Sequence, residues 1–476
     1  MQISNRATTE KIWTRNPTKA CEFSDTLQLG NMRTSSQSKP NPSPDRSTRR
    51  CPALLVGAPA SGQGKTTVTA ALARRYRDRD LKVRVFKTGP DFLDPMVLER
   101  ASGAPVYQLD GWMGGEDDCR RRLHQAAGAG DVILVEGVMG LFDGGTSSAE
   151  LAARFRIPVL AVIDGSAMAQ TFGAIAQGLA NYRPGLPFAG VFANRVASES
   201  HYRMLAEGLP SGLECLGWLG RDGAAALPER HLGLVQANEI RDMDARIARA
   251  AGALRGLGEG LPEPVAFDPP PAAPDRGTPL KGVRVAVARD AAFSFIYRAN
   301  WDTLGALGAE PRFFSPMADR TLPESDALYL PGGYPELYLD ALASNDAMKA
   351  AIRAHHAQGK PIVAECGGML YLLESVTDAK ARSAPMVGLL PGHARMGSGL
   401  GNLGLHEVTF PEGTLRGHAF HYSRLETPLS PVGWSRGARA HQRGEPLYRA
   451  GRLSASYVHL YFPSNPMATA GLFAPS

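Results

Sequence analysis

The chain has 476 residues, 43% hydrophobic and 21% charged, too many for one core and enough for two or three globular domains. Its formal net charge of +6 is modest and its basic residues are scattered, so a cluster such as Arg120-Arg121-Arg122 reads as a solvated helix face and argues against a nucleic-acid footprint. The five cysteines (Cys21, Cys51, Cys119, Cys215 and Cys366) are isolated, which excludes CxxC metal spacing and suits a reducing, cytoplasmic compartment; no apolar run reaches membrane length.

Residues 1–50 lack the apolar core of a signal peptide and are rich in Ser, Thr, Asn, Pro and Arg, which predicts a disordered extension. The apolar run Ala53 to Val56 then leads into Gly57-Ala58-Pro59-Ala60-Ser61-Gly62-Gln63-Gly64-Lys65-Thr66-Thr67 and a helical stretch, Val68 to Tyr76. Strand, glycine-rich loop and helix in this order cradle phosphate. Gly57, Gly62 and Gly64 let backbone N–H groups turn inward, Lys65 meets the terminal phosphates, Thr66 offers a hydroxyl to Mg²⁺, and Thr67 continues the ATP site. The loop is two residues longer than GxxxxGK[ST], because Pro59 stands where the leading glycine would be.

Val83 to Phe86, Val132 to Val135, Pro158 to Ile163 and Ala189 to Ala193 read as further parallel strands of a doubly wound α/β domain over 51–257. The proline-rich stretch 258–280 reads as a linker without a regular element. A second α/β domain over 281–476 is expected from strands at Val283 to Ala288, Ala327 to Leu330 and Pro361 to Ala364, with a helix from Asp346 to Gln358.

Two acidic segments follow strands of the first domain: Lys87-Thr88-Gly89-Pro90-Asp91-Phe92-Leu93-Asp94-Pro95, and Glu136-Gly137-Val138-Met139-Gly140-Leu141-Phe142-Asp143-Gly144. Ligands of open α/β sheets bind beyond the carboxyl ends of the strands, so Asp91, Asp94, Glu136 and Asp143 are expected to converge on Lys65 and Thr66, where their hard oxygens suit Mg²⁺. In the second domain, Ala364-Glu365-Cys366-Gly367-Gly368-Met369 follows an apolar strand and precedes Leu370 to Val376, which reads as a helix. Such a turn exposes a nucleophile, with a thiolate favoured by the helix dipole. Pro331-Gly332-Gly333-Tyr334 ends another strand, and the backbone N–H groups of Gly333 and Gly367 are the candidate oxyanion hole.

The phosphate loop, the two acidic segments and Leu227-Pro228-Glu229-Arg230-His231-Leu232-Gly233-Leu234 together resemble the cobyrinic acid a,c-diamide synthase family, including its hydrogenobyrinic acid members, from about Cys51 to the C-terminus. The resemblance implies a dethiobiotin-synthetase-like P-loop domain followed by a flavodoxin-like class I glutamine amidotransferase domain. It also implies ATP- and glutamine-dependent amidation of the a- and c-acetates of a corrin macrocycle in cobalamin biosynthesis, through an acyl phosphate. By it, Asp91, Asp94, Glu136 and Asp143 handle Mg²⁺ and the activated carboxylate, with Thr66, Asp91 and Glu136 as the metal set, and Asn194 contacts adenine; Phe92 and Leu93, flanked by Asp91 and Asp94, are expected to lie against the macrocycle. The class I pattern makes Cys366 the nucleophile and His459 its base. Two positions depart from the pattern: Tyr461 stands where class I triads carry Glu, and Ala419 replaces Glu in Gly417-His418-Ala419-Phe420-His421-Tyr422-Ser423, leaving His418 and His421 open between structural and site roles. Ala60 in place of an early loop lysine argues against a dimer-switch ATPase. A homodimer is compatible with this reading, and the alternatives are diamidation of a nickel tetrapyrrole and a P-loop regulatory ATPase with an inactive amidotransferase-like domain.

Overall fold

The computed structural model describes residues 47–225, 240–272 and 274–475, so the Leu227 to Leu234 motif and nearly all of the N-terminal extension lie outside the described residues. The first half is a sheet of β1 (Arg49–Gly57), β2 (Val83–Thr88), β3 (Tyr107–Leu109), β4 (Val132–Glu136), β5 (Val159–Asp164), β6 (Phe188–Val196), β7 (Cys215–Gly220) and β8 (Pro264–Phe267). Seven strands are parallel in the order β3-β2-β4-β1-β5-β6-β7. Side chains alternate across a strand, so Ala53 and Leu55 of β1 enter one core and Leu54 and Val56 the other; a sheet covered on both faces needs such unbroken apolar runs. The strand order reverses at β1, between β4 and β5, which opens the crevice for the phosphate loop and for helix α1 (Lys65–Arg77).

The linker expectation needs correction. Pro264–Phe267 is a strand antiparallel to Arg49–Pro52, with register pairs Arg49↔Phe267, Arg50↔Ala266, Cys51↔Val265 and Pro52↔Pro264. Proline is tolerated at the first position of an edge strand, and Val265 and Phe267 alternate into the core. The same pairing takes Arg49 and Arg50 out of the expected disordered extension.

The second half is built on β9 (Arg284–Ala288), β10 (Glu310–Phe314), β11 (Ala327–Leu330) and β12 (Ile362–Glu365), in the order β10-β9-β11-β12 and continued by Leu453–Ser456, Pro446–Ala450 and Gly433–Trp434. Leu370 to Val376 is not one helix: the helix covers Gly367–Leu372, and Leu373–Thr377 is a strand paired with Leu390–Met396. Val376 and Thr377 are β-branched and suit the pleat. A small sheet sets Gly413–His421 beside His459–Tyr461.

Both halves belong to one compact unit, Arg46–Ser476. Tyr461 Oη donates to Asp118 Oδ2 at 2.7 Å, Tyr107 Oη to Asp302 Oδ2 at 2.7 Å, and Arg416 to the Trp112 carbonyl at 2.9 Å. Among the described residues no helix is long and apolar enough to cross a membrane. Starting the chain at Ala53 rather than Ser47 removes the four pairs between β1 and β8. A stability loss of about 1–3 kcal/mol is expected in urea melts of the two truncations, and equal midpoints would deny that pairing a structural role.

Candidate active site

Gly64 precedes α1 with φ 92°, a left-handed conformation that glycine adopts without strain, and a Cβ there would collide with the Asn194 carboxamide. Asn194, at the end of β6, donates to the Gln63 carbonyl at 2.8 Å, while Arg195 reaches the Gly62 carbonyl at 3.0 Å and Asp164 at 2.6 Å. The Asn194 amide therefore braces the loop, and the residue also lines the cavity, so an adenine contact stays open to it. Lys65 Nζ folds back onto the carbonyls of Ala60 (3.1 Å) and Met139 (2.6 Å), and its pKa is lowered by burial and by Lys87. Gly62, Gly64, Thr66 and Thr67 line the cavity. Gly57 lies behind it, where a side chain would press on Leu141.

Asp91, Asp94 and Glu136 meet, and what joins them is a residue that sequence reasoning left without a role. Lys87 is 2% exposed, and its Nζ lies 2.5 Å from Asp94 Oδ2, 3.0 Å from Glu136 Oε1 and 3.6 Å from Asp91 Oδ2. Lys87 and Glu136 are register partners of β2 and β4, while Asp94 enters from the first turn of α2 (Leu93–Ser102). One ammonium cannot fully compensate three carboxylates. Burial is offset for Lys87 by Asp94 and Glu136, which raise its pKa, and for Asp94 by Lys87, which lowers it. Asp91 is pushed up to about 6 by burial and Asp94, and Glu136 to about 7, chiefly by burial. Thr66 Oγ1 donates to Glu136 Oε1 at 2.7 Å, and buried Glu136 Oε2 has no hydrogen-bond partner among the described residues. Asp143 is exposed on the cavity wall and caps a turn by accepting from Gly140 N at 2.9 Å.

Cys366 follows β12 with φ 44°, a strained conformation for a residue with a side chain, held by its N–H donating to the Ser456 carbonyl at 2.8 Å. The expected dipole-favoured thiolate is overruled: burial first, then Glu336, pushes the thiol up, while burial lowers His459 to about 3. Both shifts favour the neutral forms of thiol and imidazole. A side chain on Gly367 would meet the backbone of Gly333, so the two candidate oxyanion donors are neighbours. Gly332 lets the His459 ring lie against bare backbone, because a Cβ there would overlap the imidazole.

His459 Nδ1 has no hydrogen-bond partner among the described residues. Tyr461, which stands in the triad acid's place, instead donates to Asp118 of the other half. His418 stacks on His459 at 5.0 Å and is bonded through Nδ1 to Tyr297 Oη at 2.6 Å; His421 is bonded to Glu445 at 3.1 Å and stacks on Tyr457. The ring of Phe92 packs on Phe295, Tyr297, His418 and His459, at centroid distances of 5.2, 4.6, 5.4 and 5.1 Å. Phe92 and Leu93 were expected to lie side by side on a macrocycle. Both reach the cavity, but Phe92 also seats itself in the second half. One cavity of about 1690 Å³ takes in Lys65, Asp91, Asp94, Cys366 and His459.

A family model described as a CobQ/CobB/MinD/ParA nucleotide binding domain matches residues 54–235, and one described as a CobB/CobQ-like glutamine amidotransferase domain matches residues 284–467. A phosphate loop and a cysteine elbow opening into one cavity thus define a glutamine amidotransferase fused to a nucleotide-binding domain. The chain is 58% identical over 428 residues to a hydrogenobyrinate a,c-diamide synthase of Pseudomonas aeruginosa, covering 90% of this chain and 98% of that one. It is 60% identical over 432 residues to the Stutzerimonas stutzeri protein of the same name (90% and 100% covered). It is 49% identical over 425 residues to a cobyrinate a,c-diamide synthase of Herminiimonas arsenicoxydans (89% and 96% covered). It belongs to the cobyrinate and hydrogenobyrinate a,c-diamide synthase family.

The raised acids carry a pH signature. Below its ordinary value of 4.5 Glu136 is protonated folded or unfolded; between there and about 7 only the folded protein keeps the proton, so stability falls as pH rises through that window. In metal-free buffer the urea midpoint of the protein should therefore drop between about pH 5 and 8, with Glu136→Gln dropping less and Asp91 supplying the remainder. Identical pH slopes would contradict the buried-acid assignment.

Proposed function

We propose that this chain amidates the a- and c-acetate carboxylates of cobyrinic or hydrogenobyrinic acid, using ATP to activate each carboxylate and glutamine as the nitrogen source. The observation that carries this reading is the single cavity into which both sets of groups open. At Cys366 the sulfur adds to the glutamine carboxamide carbon, and His459 moves the thiol proton to the departing ammonia. The Gly333 and Gly367 N–H groups face the developing oxyanion, and water hydrolyses the thioester to glutamate. At the other end, oxide is too poor a leaving group for direct amidation. The corrin carboxylate takes the γ-phosphoryl group, ammonia adds to the acyl carbon, and phosphate leaves. Lys65 and Lys87 supply fixed positive charge where that phosphoryl group passes.

Among the described residues no group of three or more His, Cys, Asp or Glu is arranged to hold a metal unaided, and Mg²⁺ beside a nucleotide draws part of its shell from phosphates and water. The donor set fits it: Thr66 Oγ1, Glu136 with its unpartnered Oε2, and Asp91 would hold Mg²⁺. When bound, that ion neutralises phosphate charge. A nucleophile and base lining the cavity give no support to an inactive amidotransferase domain, and the relatives' names favour a corrin over a nickel tetrapyrrole. The free thiols suit a cytoplasmic enzyme.

Mass spectrometry of hydrogenobyrinic acid incubated with protein, Mg²⁺, ATP and glutamine should find two successive acid-to-amide conversions. Cys366→Ser should lower the glutamine-driven rate on the order of 10³-fold or more while ammonium-driven amidation persists, and Lys65→Ala should suppress both. A Lys65→Ala protein that still amidates with ammonium would sink the phosphate-loop role.

A further inference from the structure

A catalytic imidazole needs something to fix its plane, and in His459 the usual means is missing. Among the described residues its Nδ1 has no hydrogen-bond partner, and the residue in the triad acid's place is turned away to Asp118. Besides the bare backbone of Gly332, the ring meets aromatic side chains: its strand neighbour His418, stacked at 21°, Phe295 at 6.4 Å, and Phe92 at 5.1 Å. Phe92 alone of these comes from the nucleotide-binding half.

Phe92 is itself firmly placed. Asp91 Oδ1 accepts from the N–H groups of Leu93 and Asp94 at 2.9 and 3.1 Å, the Asp91 carbonyl accepts from Gln108 at 2.9 Å, and the Phe92 ring lies parallel to Phe295 within 5°. One peptide bond therefore separates a carboxylate paired with Lys87 from a ring packed on His459.

We propose that Phe92 is a positioning residue for His459, so that the base of glutamine hydrolysis is aligned by the loop carrying the carboxylates of the synthetic site. This rests on His459 acting as the base described above. The ring touches no reacting atom; it restricts the angles the imidazole can adopt, which hydrogen bonding to a carboxylate does elsewhere. An imidazole free to tilt spends less time aligned with the Cys366 thiol, a loss that falls on turnover and not on glutamine binding.

The test is glutamate formation by the full-length protein with glutamine, Mg²⁺, ATP and hydrogenobyrinic acid, with ammonium-driven amidation measured alongside. Phe92→Ala should lower kcat for glutamate formation roughly tenfold with KM for glutamine within about twofold, lower the ratio of glutamine-driven to ammonium-driven amidation by the same factor, and be rescued by Phe92→Tyr, which restores a ring. Phe92→Leu, which keeps apolar volume without a ring, should show the same loss and serves if the alanine variant folds poorly. Unchanged kcat, a rise in KM alone, an equal loss with both nitrogen sources, or failure of tyrosine to rescue would each overturn the proposal. Wild-type protein that forms no glutamate would take down the amidotransferase reading and this proposal together, whereas glutamate without corrin amide would take down the corrin reading alone.

Discussion

Lys87 Nζ is the point on which the synthetic site depends. A buried ammonium is tolerable only where carboxylates surround it, and buried carboxylates only where a cation lies among them. Here the pairing of β2 with β4 sets Lys87 beside Glu136, while Asp94 reaches in from α2 and Thr66 from α1, so four elements are tied at the carboxyl edge of the sheet. The arrangement is charged in excess: three acids share one lysine. Burial relieves that excess by raising the pKa values of Asp91 and Glu136, so part of the negative charge is held back as protons. The same acids continue through one peptide bond into Phe92, which carries the constraint into the second half.

The two local signatures were legible because each is a short pattern whose chemistry depends on neighbours in sequence. Strand, glycine-rich loop and Lys65-Thr66 describe a phosphate cradle wherever they occur, and strand, Cys366 and paired glycines describe an elbow. Other features depend on register or on distance along the chain. Lys87 looks like any strand-end lysine until β2 pairs with β4. Tyr461 and Asp118 lie 343 positions apart. Pro264–Phe267 hides its strand in proline-rich composition, because edge pairing tolerates what an interior strand would reject. Asn194 was placed at the correct strand end, but which partner its amide finds is decided by the path of the loop beside it.

The elbow shows one physical effect outweighing another. A helix N-terminus stabilises a thiolate modestly, but the helix after Cys366 spans only Gly367–Leu372, and the sulfur is buried beside the acidic Glu336. Desolvation therefore wins: the thiol stays protonated and the imidazole stays neutral. The left-handed backbone at Cys366 costs on the order of 1–3 kcal/mol, offset by the strand contacts that fix it, and aims the sulfur into the cavity.

The shared cavity has a quantitative meaning for the nitrogen it handles. One ammonia molecule confined to about 1690 Å³ corresponds to an effective molarity of about 1 M. In neutral bulk water most ammonia is protonated and has no lone pair with which to attack. Apolar rings such as Phe92 and Phe295 line part of the cavity and favour the neutral form there, whereas the carboxylates around Lys87 favour the charged one. Placing both sets of groups on one cavity shortens the path between them to the width of that cavity.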